Sequence, residues 1–100
     1  MYVVIFRAKT KVLDEEYSTM AKRMQELAYS YGCIQAVSAF ENGLEITLSY
    51  WHDEAAILAW KNNSEHKIAQ HIGRDRWYES YNIEICEVRR NYDFSAESDT

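Results

Sequence analysis

A chain of 100 residues carrying a net charge of −5 is one domain, and its acidic balance sets aside nucleic acid as a partner, because phosphate binding needs a basic face. No apolar run approaches the ~18 residues that span a bilayer, so no membrane partner is expected. The N-terminal MYVVIFRAK has no basic segment before its short apolar run, reads as a strand and not as a signal peptide, and points to a cytoplasmic protein.

Residues 2–9 alternate as a strand, apolar on both faces in their first half, and are expected to lie centrally in a sheet. Asp14 then caps a helix with Glu15 and Glu16 in its first turn, where the helix dipole favours acids. Tyr17, Met20, Ala21, Met24, Leu27, Ala28 and Tyr31 recur at three- and four-residue steps as one apolar stripe. Gly32 ends that helix where a left-handed residue is usually needed. Residues 33–41 read as a second strand, and Asn42-Gly43 is a strong hairpin signal. In the third strand Leu44, Ile46, Leu48 and Tyr50 share one face. Glu45, Thr47, Ser49 and Trp51 share the other, which is small and polar yet ends in an indole. That second face suits solvent, the floor of a polar cavity, or a partner sheet.

Asp53 is expected to cap a helix over AAILAWKN, Asn62 and Asn63 to break it, and Ser64 to cap a second helix over EHKIAQHIG. Two short helices meeting at an angle make a concavity that one straight helix lacks. Ile68, Ala69 and Ile72 are expected to face inward, with His66 and His71 on opposite edges of that stripe. Gly73 ends or bends this helix. The last strand is expected over 81–92, with a slip of apolar phase between Ile85 and Cys86 that calls for a bulge or burial of both faces. Cys33 and Cys86 fit no metal spacing and read as two buried thiols. The domain is expected to span 1–94, with 95–100 a fraying polar tail.

The order strand, helix, strand, strand, broken helix, strand is the split βαβ pattern of an α+β, ferredoxin-like sandwich with helices on one face of an antiparallel sheet. The open sheet face carries too many apolar side chains for water, so a homodimer through that face is expected. The stretch 51–81 holds all three tryptophans and all three histidines. Large rings bury much area, and imidazoles change charge near neutral pH. Together they suit the wall of a pocket for a flat organic molecule.

The run SYWHDEAAILAWKNNSEHKIAQHIGRDRWYESY, the following IEICEVRRNYDF, the upstream EEYSTMAKRMQELA and the NGLEITLSYW hairpin resemble the antibiotic biosynthesis monooxygenase family of dimeric α/β barrels, over Tyr2 to Phe94. The helix tryptophan Trp60, the pair Glu65-His66 and the GRxxWY run at Gly73–Tyr78 are the most specific parts. The resemblance implies dimerisation by sheet packing and a pocket between sheet and helices in each subunit. The family includes cofactor-free oxygenases of polyketide quinones, haem-degrading enzymes, and members with no assigned reaction.

A cofactor-free oxygenase needs a base that makes its substrate an electron-rich anion, a dry pocket, and donors for the developing oxyanion. His66 or His71 is the candidate base. Trp60 and Trp77 are candidates to sandwich a polycyclic ring, with Trp51 beside them. Tyr78, Tyr81, Arg74 or Arg7 are candidates to hold the oxyanion. No tightly bound cofactor or metal is required. Haem is the alternative, because haem degraders of the family have a helix tryptophan followed by an iron-ligating histidine, a spacing that Trp60 and His71 approximate. Arg7 stands near where their first strand offers an asparagine, a departure that weighs against haem degradation. A third alternative is a dimer that binds a small molecule without catalysis.

Overall fold

The computed structural model describes residues 1–96. Strand β1 (Tyr2–Thr10) leads into helix α1 (Glu15–Ser30). The hairpin of β2 (Gln35–Glu41) and β3 (Leu44–Trp51) follows, then helices α2 (Glu54–Lys61) and α3 (Ser64–Ile72), a five-residue π-helical turn (Gly73–Trp77) and strand β4 (Tyr78–Glu87). The four strands form one antiparallel sheet in the order β2-β3-β1-β4. This is the expected α+β, ferredoxin-like arrangement, with β1 and β3 central.

Local chemistry explains the boundaries. The Asp14 carboxylate caps α1 by accepting from the Tyr17 amide at 2.9 Å. Gly32, at φ +108°, takes the left-handed conformation that ends the helix. Asn42 and Gly43 both have positive φ, 49° and 78°, as a two-residue hairpin turn of matching twist requires. Asp53 caps α2 through the Ala56 amide at 2.8 Å. Asn63, rather than Ser64, caps α3: Ser64 is already the first helical residue, and the Asn63 side-chain oxygen accepts from the Glu65 amide at 2.8 Å.

Strand pairing sorts the sheet into two faces. Val4 lies opposite Ser49 and Ile85, Phe6 opposite Thr47 and Ile83, and Ala8 opposite Glu45 and Tyr81. This face looks toward the helices, and Val4, Ala28, Cys33, Trp51 and Ile57 form the buried cluster between the layers. The polar face of β3 is therefore interior. The other face carries Val3, Ile5, Val37, Leu44, Ile46, Leu48 and Tyr50, and among the described residues no helix lies over it.

Three expectations are corrected. Helix α3 turns His66, Ala69 and Gln70 toward the cavity; of the expected stripe Ala69 faces inward and Ile72 is half-buried, but Ile68 is left 55% exposed. A two-bonded Arg23–Glu65 contact, at 2.7 and 2.8 Å, ties α1 to α3 in that rotation. The phase slip at Ile85/Cys86 is not a bulge, since pairing runs unbroken from Val3↔Cys86 to Lys9↔Ser80 and shifts only between Lys9 and Thr10. Ile85 and Cys86 simply take opposite faces. Strand β4 also starts and stops earlier than expected, at Tyr78 and Glu87. Residues 95 and 96 follow with no strand, and the rest of the expected fraying tail lies outside the described residues.

Candidate active site

Between the sheet and the helices lies a cavity of about 500 Å³. That volume lies within the range of pockets that hold a drug-sized ligand. Its floor is the helix-facing side of the sheet, with Phe6, Ile83 and Ile85 among its apolar groups. Its roof is built by α1 and by the α2–α3 arm. The break at Asn62 and Asn63 lets Trp60 and Lys61 on one helix and His66, Ala69 and Gln70 on the next border the same space. Asn63 also donates from its side-chain amide to the Tyr31 hydroxyl at 3.1 Å, fastening the joint to the end of α1.

One end of the cavity is a ladder of rings. Trp51, fully buried, donates its Nε1–H to Ser49 Oγ at 3.0 Å. The Trp60 indole packs on it with centroids 5.2 Å apart, and His66 packs on Trp60 at 4.3 Å. Trp60 Nε1 and His66 Nδ1 are both buried with no hydrogen-bond partner. Buried polar atoms are rarely left so, and each such atom asks for an explanation. Burial holds the His66 imidazole below its ordinary pKa; the Lys61 main chain opposes the shift and the Lys61 charge adds to it. The neutral ring, able to accept a proton, is therefore the resting form at neutral pH.

The other end is polar in a different way. Glu45, 5% exposed, stands on β3 and borders the cavity. Its Oε1 accepts from the Tyr17 hydroxyl at 2.7 Å and from the Tyr78 hydroxyl at 3.2 Å. Its Oε2 accepts from Thr47 Oγ1 at 2.9 Å. Ser38 and Thr47 hydroxyls lie 2.7 Å apart, and with the Thr47 proton given to Glu45, Ser38 is the donor. Burial first, then Glu45, holds the Tyr17 and Tyr78 phenols far above their ordinary pKa, so both stay protonated donors. Tyr17 meets Trp77 edge-on at 5.4 Å, and Phe6 packs on Tyr78 at 5.3 Å and on Tyr81 at 5.6 Å.

The fold gathers Trp60, His66, Trp77, Tyr78 and Tyr81 around one cavity. Trp77 serves it only as a wall, because its Nε1–H is given to Asp14 Oδ1 at 3.1 Å. Trp51 stands behind Trp60 and does not line the space. His71 is exposed and outside the lining, because it sits on the outer side of α3 from the inward stripe. Arg74 is exposed and acts at one remove, donating from Nε to the Tyr81 hydroxyl at 2.7 Å. Arg7 lies on the opposite face of the sheet and pairs with Glu84 at 3.0 Å. His71, the candidate iron ligand for a haem, therefore lies outside the cavity, and His66 is the imidazole that borders it.

Glu45 and Tyr17 escape a reading of the sequence. Tyr17 belongs to an ordinary apolar stripe, and Glu45 to a face that suits solvent as well as it suits a cavity. The signal was there: glutamate is depleted in strands, and this one shares a face with an indole that needs burial.

No model of a known protein family matches the chain. YqjZ, an uncharacterized protein of Bacillus subtilis, is 38% identical over 91 residues, which are 89% of this chain and 80% of YqjZ. Jasmonate monooxygenase ABM of Pyricularia oryzae is 32% identical over 93 residues, 88% of this chain, and the chain spans 43% of that protein's length. Among solved structures, SnoaB, a cofactor-independent oxygenase from Streptomyces nogalater, superposes with a TM-score of 0.76 at 11% identity, covering 90% of this chain and 94% of SnoaB. Related in sequence to YqjZ over most of both chains and to the fungal monooxygenase over its own matched span, the chain belongs to one family with YqjZ and has the antibiotic biosynthesis monooxygenase fold that SnoaB shares.

Proposed function

We propose that the protein is a cofactor-independent monooxygenase acting on a flat, polycyclic aromatic molecule held between sheet and helices. The observation that carries this reading is the pair of unpartnered buried nitrogens, Trp60 Nε1 and His66 Nδ1, on the border of a largely apolar cavity. A ligand carbonyl would accept from the Trp60 indole. A neutral His66 would take the proton from an adjacent activated ring carbon. The apolar walls keep water from the resulting carbanion, so that it meets oxygen instead. Oxidation of an activated ring CH2 to C=O by O2, with release of water, balances without an external reductant. The Trp60 donor would stabilise the oxyanion that forms on the carbonyl.

Two copies of the chain would pack sheet against sheet. The support is the uncovered face, on which Val37, Leu44 and Ile46 are 46%, 41% and 37% exposed beside Leu48 and Tyr50.

The test is oxygen consumption by the purified protein, stripped of metals and flavin, with anthrone-type substrates. Turnover that falls by about 10²–10⁴-fold in His66→Ala is expected for loss of a general base. Absence of both turnover and binding for every polycyclic substrate would sink the reading.

A further inference from the structure

We infer that Glu45 selects the ligand: it takes a neutral ring hydroxyl as hydrogen-bond donor and turns away carboxylates. This deepens the ring-binding reading of the cavity given above and rests on it. A carboxylate has about four acceptor positions. Three are filled at Glu45, two on Oε1 by Tyr17 and Tyr78 and one on Oε2 by Thr47. One position on Oε2 is left. Every group already on this carboxylate is a neutral hydroxyl, and among the described residues no lysine or arginine pairs with it. Lys22 and Lys61 border the cavity but neither pairs with Glu45, so a carboxylic acid entering as its anion at the Glu45 end would bring a second negative charge against a carboxylate held only by neutral hydroxyls, which is costly in a low-dielectric interior. A phenolic or enolic O–H would instead complete the set that the protein has begun. It would do so as a hydrogen bond to a charged acceptor, the stronger kind.

Position adds a second constraint. Glu45 and Trp51 are six residues apart on one strand, an outer span of ~20 Å at ~3.3 Å per residue. The Trp51–Trp60–His66 ladder marks the far end, where the unpaired Trp60 Nε1 asks for an acceptor. The ligand class is therefore an elongated ring system with a hydroxyl donor at one edge and a carbonyl acceptor at the other. Its middle lies on Phe6 and Ile83.

Three probes on one skeleton test this: 2-hydroxyanthraquinone, its methyl ether, and anthraquinone-2-carboxylate. They are titrated against the protein by tryptophan fluorescence at pH 6, where the hydroxyl keeps its proton. The expected order for the unaltered protein is hydroxyl tighter than methyl ether by about tenfold or more, from one hydrogen bond to a charged group, and carboxylate weakest. In Glu45→Gln the hydroxyl preference should vanish and the carboxylate should gain. In Tyr78→Phe, which keeps the carboxylate, the preference should persist. Equal binding of hydroxyl and methyl ether to the unaltered protein overturns the inference while the ring-binding reading stands, and this comparison needs no variant to fold. Failure of all three probes to bind overturns both.

Discussion

The Trp60 indole and the His66 imidazole lie with centroids 4.3 Å apart, and each keeps a buried nitrogen unpaired. Replacing Trp60 with Phe keeps most of the packing and removes one orphaned donor, whose burial costs about 1–3 kcal/mol. Folding stability of Trp60→Phe should therefore hold level or rise, while affinity for a polycyclic carbonyl ligand falls by about tenfold, close to one hydrogen bond. Trp60→Ala loses the ring too and should cost about 3 kcal/mol of stability, the low end for a large aromatic because Trp60 is only half-buried. Urea unfolding beside a ligand titration separates the two effects.

The depressed His66 pKa makes stability depend on pH. In the unfolded chain the imidazole titrates at about 6.5; in the fold burial holds it lower. Above about 6.5 both states are neutral and the contribution is fully present. As pH falls below that value the unfolded chain takes up the proton first, so stability declines until the folded pKa is passed. His66→Gln, which cannot titrate, should flatten this part of the profile. Denaturation midpoints at pH 8, 6.5 and 5 for both proteins decide it; parallel profiles would show that His66 does not contribute.

Gly73 has helical φ, −58°, so alanine there meets no backbone strain. It meets the Tyr78 ring instead, with an added Cβ 2.9 Å from Cε2 and 3.0 Å from Cδ2. Overpacking of this kind costs about 1–3 kcal/mol, against about 1 kcal/mol gained in helix propensity. Because Tyr78 is held by Glu45, its ring is not free to swing away. Gly73→Ala should be neutral to about 2 kcal/mol less stable, by the difference of those ranges, and should weaken hydroxyl recognition at Glu45. A variant more stable than the parent in urea would show that the ring yields freely.

If the open sheet face joins two copies, a charge at its centre should part them. Leu48 lies on β3, flanked by β2 and β1, opposite Val37 and Ile5. Leu48→Glu would bury a carboxylate among apolar neighbours in each subunit, and the dimer dissociation constant should rise by at least about a hundredfold, ~2.7 kcal/mol. Sedimentation velocity across a concentration series reads this directly. An unaltered protein that stays monomeric at high concentration would refute the dimer.

How much of this was legible beforehand depended on where local chemistry decides. Caps at Asp14 and Asp53, the Asn42-Gly43 turn and the alternation of β3 are settled within a few residues, and these elements stand where the sequence puts them. The rotation of α3 depends on its packing against α1, far along the chain, to which the Arg23–Glu65 pair also ties it, so the pattern Ile68-Ala69-Ile72 misleads at Ile68, which faces solvent, and misses His66 and Gln70. Of the indoles and imidazoles of 51–81, Trp60, Trp77 and His66 border one space, while Trp51, His52 and His71 do not, nor does Arg7. Glu45 was invisible because a polar strand face reads alike whether water or a phenol supplies the donor.

The wall and the floor of the cavity are held by different means. The floor is pinned by main-chain pairing along three strand interfaces, where a shift of one residue would turn every side chain over. The wall that carries Trp60 and His66 hinges on two asparagines between short helices. Relatives that add or drop a residue at this joint would widen or narrow the gap above an unchanged platform, so the thickness of the molecule admitted can drift while the fold stays put.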